Sequence, residues 1–383
     1  MHIGYLTTEY PEISRTYGGI ATSIKGLSEK LIEQGHDVTV FLCGEEENKV
    51  EHQGKLRIVS IKRKKVKGIG WWINRKHIEH IVNKAVKKDK IDLIEAPDWT
   101  GMTAFMDISC PVVIRLHGSD TYFCHIEKRP QKYKNFFLEK NALKRADHII
   151  SVSQYTAKLT SKLFGLSRPI KIIYNGIDTK KYSMNKNKVL KEANSILYLG
   201  TLIRKKGVLD LASVFNLVVD RYPDTKLYVA GADASDIVTG SSSTWRLMQD
   251  IMTPKALKNV YYMGKIPHEE IKDLLFRANI CVFPSYAEAF PLSWLEAMAA
   301  QKPIVASNIG WAKECLEDGI SGLLAHPSNH KLFARNIIKF IEDNIYAETM
   351  AKKARERVFK CFDINTIVES NLNFYQQVVE KKV

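Results

Sequence analysis

CVFPSYAEAFPLSWLEAMAA, residues 281–300, decides how the chain is read. Ile280, Cys281, Val282 and Phe283 form a short apolar run stopped by Pro284 and Ser285, the pattern of a parallel strand covered on both faces. Pro291 suits the first position of a helix, where its missing N–H costs nothing, and Leu292, Leu295, Met298 and Ala299 give that helix an apolar face. The stretch therefore predicts a strand, a loop with Glu288, and a helix with Glu296 in its early turns. Open α/β sheets bind ligands beyond the carboxyl ends of their strands, and a helix N-terminus favours phosphate. Two carboxylates placed there can accept hydrogen bonds from the hydroxyls of a sugar or a ribose. The alternative is that Glu296 compensates the helix dipole and Glu288 is a solvated loop residue. By itself the stretch does not choose.

Upstream, apolar runs at residues 3–6 and 38–43 flank a helical spacing through Ile24, Leu27, Leu31 and Ile32, a βαβ beginning. Further strands are expected at 56–61, 91–95, 112–116, 148–152 and 171–174, with helices over 135–145 and 154–164. The polar stretch 178–194 interrupts this alternation and reads as a domain boundary. A second alternation follows, with strands at 195–199, 226–229, 260–263, 280–283 and from Ile304, and helices at 208–220 and 268–277. Two doubly wound α/β units are thus expected, consistent with 383 residues exceeding one ordinary core.

Composition is that of a globular protein, with no basic leader followed by a long apolar run and no stretch of membrane-spanning length. The expected location is the cytoplasm. Six cysteines are scattered with no C-x-x-C pair, so reduced thiols are expected rather than a disulfide frame or a zinc site. The net charge of +15 is unevenly spread: the window Lys55–Lys90 holds 13 Lys/Arg against two Asp/Glu.

Three further loops carry candidate chemistry. Tyr17-Gly18-Gly19 lies between the first strand and the first helix, where glycines let backbone approach a phosphate or sugar. The G-x-G-x-x-G spacing of dinucleotide binders is missing, so an ordinary turn is the competing reading. His117 directly follows an expected strand in RLHGSD, well placed for polar contact with a ligand, unless it is a satisfied structural histidine. Gly200-Thr201-Leu202-Ile203-Arg204-Lys205-Lys206-Gly207 puts three cations in a strand-to-helix loop, able to neutralise a diphosphate or simply to be solvated. It is not a Walker A loop. No D-x-D triplet offers a divalent ion its carboxylates, so no metal site is expected.

Together these motifs are more specific than any one of them. The order is a Gly-Gly first loop, a His after a later strand, Asn175-Gly176-Ile177-Asp178, G-x-L-x-x-x-K-G, P-S-x-x-E-x-F-P-L-x-x-L-E-A-M, and Ser321-Gly322-Leu323-Leu324. This resembles a family 4 retaining glycosyltransferase over essentially the whole chain. The resemblance implies a GT-B fold: two Rossmann-like domains, residues 1–184 and 185–364, facing an interdomain cleft, with a last helix from about residue 365 to 383 crossing back to the first domain.

It implies roles as well. Glu288 would contact hydroxyls of the donor sugar, Glu296 would hold the ribose of the nucleotide, and Lys206 would meet the donor diphosphate, with Gly18 and Gly19 offering backbone N–H groups. Thr201, Arg204, Lys205, Lys265, Ile266, Ala289, Phe290, Pro291 and Leu292 complete the expected donor set. Tyr17, Asp98, Trp99 and His117 form the acceptor set, and His117, Glu288 and Lys206 are the expected catalytic residues. The chain departs from the family pattern in three places. Thr201 stands where an arginine is common, Ala289-Pro291 replace glycines, and the match is reduced around Ile309-Gly310-Trp311. The implied reaction transfers a hexose or N-acetylhexosamine from a nucleotide diphosphate sugar, a UDP-sugar, to a glycan or polyprenyl-linked acceptor in bacterial surface polysaccharide synthesis, without a cofactor. The competing expectations are a Rossmann-type oxidoreductase and a non-catalytic sugar-nucleotide-binding or membrane scaffold.

Lys62-Arg63-Lys64-Lys65-Val66-Lys67-Gly68-Ile69-Gly70-Trp71-Trp72 combines cations with paired tryptophans, which suits an anionic leaflet and its headgroup layer. The expected partner is a membrane surface, placing the protein peripherally on the inner face of the cell membrane; a solvated, disordered loop is the alternative. No nucleic-acid module surrounds these cations, so no nucleic-acid partner is expected.

Overall fold

The central strands fall where apolar runs are continuous, and most helices where the period is 3.6. The computed structural model describes residues 1–11, 13–14, 17–183 and 192–380. The chain divides into one unit of Met1–Gly176 with the last helix, and a second of Ile177–Asp363.

In the first unit, strands β1 (His2–Thr7), β2 (Asp37–Glu45), β3 (Lys49–Gln53), β4 (Leu56–Lys62), β5 (Leu93–Pro97), β6 (Val112–Leu116), β7 (His148–Ser151) and β8 (Lys171–Ile172) form one sheet. Its order is β3-β4-β2-β1-β5-β6-β7-β8. All pairings are parallel except that of the edge strand β3 with β4. The polar, exposed sequence of β3 blunts that edge against further pairing. Helices α1 (Gly19–Glu33), α2 (Gly70–Asp89), α3 (Asp120–Glu127), α4 (Tyr133–Arg145) and α5 (Gln154–Phe164) cover the faces. From β1 the chain winds one way through β2 and β4, then returns to β5 and winds the other way. The gap between β1 and β5 is therefore the switch point, where a crevice opens beyond the strand ends.

The second unit repeats the plan with β9 (Ser195–Leu199), β10 (Lys226–Ala230), β11 (Val260–Gly264), β12 (Ile280–Phe283), β13 (Ile304–Ser307) and β14 (Leu323–Ala325). The order β11-β10-β9-β12-β13-β14 is all parallel and puts its switch point between β9 and β12. Helices α6 (Val208–Arg221), α7 (Thr244–Ile251), α8 (Pro254–Leu257), α9 (His268–Arg277), α10 (Leu292–Ala299), α11 (Ala312–Cys315), α12 (His330–Glu342) and α13 (Asn344–Cys361) complete it. Both β9 and β12 are buried along their whole length, as a central parallel strand requires. In α10 every residue from Trp294 to Ala299 is buried, because the helix packs against α13 and, through Trp294 stacked on Phe283, against β12.

Two expectations are corrected. Pro291 is not the first helical residue: its backbone is extended, with ψ of 123°, so it caps α10 and the helix starts at Leu292. The units divide at Gly176/Ile177, ahead of the expected 184/185 boundary, which lies outside the described residues. The physical reason is that Ile177 N–H donates to the Phe362 carbonyl at 2.9 Å and Tyr182 OH reaches Glu296, tying this segment to the second unit. Helices α2, α3, α7, α8 and α11 and strands β3 and β14 have no counterpart among the sequence expectations.

The last helix, α14 (Ile364–Glu380), belongs to the first unit and packs on α1. It is anchored by charge as well as by apolar surface. Arg115 on β6 donates to Glu95 on β5 through Nε at 2.7 Å and Nη2 at 2.9 Å, and Nη2 also reaches Asn371 Oδ1 and, at 3.3 Å, the Tyr375 hydroxyl. Tyr375 OH donates in turn to Glu95 at 2.7 Å. Removing one member of such a buried pair strands the other's charge. Arg115→Met should cost about 3–5 kcal/mol in urea denaturation, and Arg115→Met/Glu95→Gln together should recover part of that loss.

Candidate functional site

The strand order places the candidate residues. In the second unit the loops after β9 and β12 flank the switch point, and these carry Lys206 and Glu288. The two loops are joined through their backbones: the Lys205 carbonyl accepts from Tyr286 N–H at 2.8 Å and from Ala287 N–H at 3.3 Å. Gly207 makes that approach possible. It sits at φ of +70°, and a Cβ there would lie 1.9 Å from the Pro284 carbonyl oxygen. With the loops held so close, Lys206 Nζ pairs with Glu288 Oε1 at 2.5 Å, and Ser285 Oγ donates to the same oxygen at 2.9 Å. Glu288 is only 8% exposed, so this ion pair is poorly screened by water. Its negative charge is felt below the loop, where burial first and then Glu288 hold the Tyr198 phenol well above its ordinary range.

The remaining expected donor residues divide. Arg204 is gripped in a two-pronged pair by Asp236, on the loop after β10, through Nε–Oδ1 at 2.9 Å and Nη2–Oδ2 at 2.8 Å. That grip, chief among the causes, holds the Asp236 carboxyl far below the usual range. Thr201 is exposed, with its carbonyl accepting from Tyr198 OH at 3.1 Å. Phe290 turns into the interior, its ring centroid 5.2 Å from that of Phe362. Ala289 and Pro291 are buried, and Leu292 is half-buried at the start of α10. Glu296 is buried on α10 and accepts from Tyr182 OH at 3.2 Å, with His268 Nε2 at 3.1 Å from the same Oε1. Lys265 and Ile266 lie between β11 and α9, the helix that His268 opens.

In the first unit Asp98 follows β5 and His117 follows β6, so both lie by the switch point. Asp98 Oδ1 accepts the His117 backbone N–H at 2.9 Å, and Oδ2 is buried with no hydrogen-bond partner among the described residues. Burial, reinforced by the nearby charge of Glu139, pushes the Asp98 carboxyl up to about 8, so at neutral pH it is largely the acid form. Burial and the charge of Arg115 push the His117 imidazole down to about 3. This histidine is therefore a neutral donor and acceptor rather than a cation, suited to a hydroxyl group. Glu139 of α4 ties the surrounding backbone together. It accepts from the N–H groups of Thr100 at 3.2 Å, Asp120 at 3.0 Å and Thr121 at 3.1 Å. Trp99, in the 3-10 turn Trp99–Gly101, meets the Phe123 ring edge-on at 6.3 Å.

At the start of α1, Gly18 and Gly19 are exposed and Tyr17 is half-buried. Gly18 offers no side-chain cap, and Glu9 supplies one, accepting Gly18 N–H at 3.0 Å and bonding the Ala21 backbone. A carboxylate thus already sits where the glycine loop is expected to offer N–H groups to phosphate. Glu9, Glu139, Tyr182, Asp236 and His268 are site-shaping residues absent from the sequence expectations. His268 had one usable signal, its position at the head of an amphipathic helix directly after Lys265-Ile266-Pro267.

The basic stretch is ordered rather than looped throughout: α2 begins at Gly70 and contains both tryptophans. Trp71 turns inward against Phe105, at 5.9 Å between centroids, while Trp72 is 43% exposed. No helix among the described residues is long and apolar enough to cross a membrane.

Residues 17–181 match the family described as Glycosyltransferase Family 4, and residues 179–357 the one described as Glycosyl transferases group 1. The chain is 25% identical to the glycogen synthase of Mycobacterium tuberculosis over 98% of its own length and 94% of that protein. It is 24% identical to an uncharacterized glycosyltransferase of Methanocaldococcus jannaschii over 99% of both. Sucrose-phosphate synthase from Thermosynechococcus elongatus superposes with a TM-score of 0.81 at 21% identity, covering 99% of each chain. HepE of Anabaena, solved in complex with UDP and glucose, superposes with a TM-score of 0.77 at 19% identity, covering 98% of this chain and 100% of that one. The fold is GT-B.

The Asp98 environment has a measurable signature. Its carboxyl is raised in the folded chain, so its contribution to stability is complete below the unfolded value of 3.8 and is lost as pH rises through about 8. Asp98→Asn keeps an oxygen acceptor for His117 N–H and cannot ionise. The melting temperature of the wild type relative to Asp98→Asn should therefore fall by several degrees between pH 5 and pH 8.5 in calorimetry.

Proposed function

The chain belongs to Glycosyltransferase Family 4, and from that premise we propose a retaining transferase that moves a hexose or N-acetylhexosamine from a UDP-sugar to a glycan or lipid-linked glycan. The observation that carries the donor side is the Lys206–Glu288 pair at the β9/β12 switch point, with Glu296 eight residues beyond Glu288 on the following helix. In this reading Lys206 leaves Glu288 to meet the β-phosphate, and Glu288 turns to the hydroxyls of the sugar. Glu296 takes the ribose. Departure of the diphosphate from the anomeric carbon builds negative charge on the leaving oxygens as the sugar becomes oxocarbenium-like. A fixed ammonium and backbone N–H groups that meet that charge lower the barrier, and the reading assigns this work to the chain rather than to a divalent ion.

Retention by double displacement requires a carboxylate close beneath the anomeric carbon. In this reading Glu288 serves the sugar hydroxyls and no other carboxylate is assigned beneath the anomeric carbon, so we assign same-face departure and attack, with the leaving phosphate taking the acceptor's proton. Neutral His117 then hydrogen-bonds sugar or acceptor hydroxyls without adding charge. HepE, solved with UDP and glucose, supports the choice of UDP by likeness alone. An oxidoreductase is disfavoured by the missing G-x-G-x-x-G loop, and a bare scaffold has no use for a half-buried lysine paired with a buried glutamate at the switch point.

A panel of UDP-, GDP- and ADP-sugars should show stabilisation by UDP-sugars in thermal shift, and the anomeric configuration of the product, read by NMR, should match the donor's. Lys206→Ala should lower turnover by about 100-fold or more, and Glu296→Ala should mainly weaken nucleotide affinity. An inverted product, or calorimetric affinity for UDP unchanged in Glu296→Ala, would contradict this reading.

We also assign the first unit a contact with an anionic membrane surface at the inner face of the cell membrane, where a lipid-linked acceptor is held. Val66, Ile69 and Trp72 are 45%, 61% and 43% exposed beside the cations of residues 62–67, and Tyr133 and Phe137 of α4 are 79% and 46% exposed. The two groups belong to one aromatic chain of contacts, since Phe105 touches both Trp71 and Phe137. Each cation near such a surface is worth about 1 kcal/mol. The protein should float with vesicles containing phosphatidylglycerol at modest salt and should lose that binding when residues Lys62–Lys67 are neutralised.

A further inference from the structure

Glu296 receives two side-chain contacts among the described residues, and both fall on one oxygen. Tyr182 OH donates to Oε1 at 3.2 Å, and His268 Nε2 lies 3.1 Å from Oε1. The three side chains come from separate segments: the 3-10 turn Thr179–Tyr182, the first residue of α9, and the middle of α10. Glu296 is 5% exposed and Tyr182 4%, while the His268 side chain is 43% exposed. The carboxyl is thus approached from the protein interior by a phenol and from the solvent side by an imidazole. Burial, and next to it the charge of Glu296, hold the Tyr182 phenol well above its usual range, so it remains a donor.

A glutamate side chain has three rotatable bonds and ordinarily loses that freedom when it binds a ligand. Here α10 fixes the backbone, and two donors on Oε1 fix the carboxyl plane. The second oxygen, Oε2, is then held at one place and in one orientation, ready to accept from hydroxyl groups.

We propose that Tyr182 and His268 are positioning residues that lock Oε1 of Glu296 so that Oε2 is presented to the vicinal hydroxyls of a nucleotide ribose, which makes the site discriminate ribonucleotides from deoxyribonucleotides. The inference rests on the reading of Glu296 as the ribose ligand and extends it to two residues outside the family motif. It also gives the exposed His268 a purpose: its Nε2–H holds Oε1 from the solvent side.

The test is the ratio of dissociation constants for 2′-deoxy-UDP and UDP, measured by calorimetry on the full chain, with the GDP and ADP pairs run in parallel. In the wild type the ratio should be about 10 or more. His268→Ala and Tyr182→Phe should each bring it most of the way to one by weakening UDP, leaving 2′-deoxy-UDP nearly unchanged. His268→Gln, whose amide can still donate to Oε1, should restore part of it. A purely structural role would weaken both nucleotides alike and leave the ratio intact. His268 is solvent-facing, so its variants carry the test even if Tyr182→Phe fails to fold. If Glu296→Ala collapses the ratio and the His268 variants do not, the positioning role is overturned while the ribose reading stands. If Glu296→Ala leaves the ratio unchanged, or the wild type binds no ribonucleotide of any pair, the ribose reading falls and this inference with it.

Discussion

The close approach of Gly207 to the carbonyl of Pro284 is the constraint on which the second unit's chemistry depends. A side chain at that position would overlap the neighbouring backbone, and the positive φ is one that a glycine adopts freely. Because nothing stands between the two loops, the Lys205 carbonyl bonds directly to the loop that follows β12. Lys206 and Glu288, 82 residues apart in sequence, then meet as a short, shielded ion pair. The sheet order sets where the loops emerge; the glycine sets how near they come.

The first unit is organised on the opposite electrostatic principle. Its buried charges are paired internally, Arg115 with Glu95 and Glu139 with a ring of backbone N–H groups. The groups beside its switch point are left neutral, Asp98 raised to about 8 and His117 lowered to about 3. One unit therefore holds an ion pair at its switch point, and the other holds buried, uncharged polar groups beside its own. That difference follows from burial more than from residue type, since an aspartate and a histidine in water would both behave otherwise.

Much of this was legible in the sequence, and the reason is periodicity. Continuous apolar runs such as Ile280–Phe283 and Ser195–Leu199 have few alternatives to a buried parallel strand. The loops that follow them then identify Lys206 and Glu288 without any coordinates. Helix α2 was hidden because its first turn, rich in tryptophan and flanked by lysines, reads as a surface patch; Trp71 against Phe105 and buried Val82, Ala85 and Val86 reveal its inward face. Pro291 was displaced by one position because the proline ring is as acceptable at a cap as in the first turn. Tyr182, His268, Glu9 and Asp236 were illegible for a different reason: each acts by contact with a residue distant in sequence or across a turn. The same is true of Asp98, whose acid form is created by surroundings assembled from β5, β6 and α4.

The enclosure of α10 has a consequence for how such a protein can change over time. A helix buried from Trp294 to Ala299 is constrained at nearly every position by packing, irrespective of any ligand. Substitutions there lose stability before they can try a new chemistry. The exposed or half-exposed positions around it, Thr201, 203–206 and Lys265–His268, carry less of that burden. Drift towards another donor is thus channelled into those loops, and the helix persists as the fixed frame against which new specificities are selected.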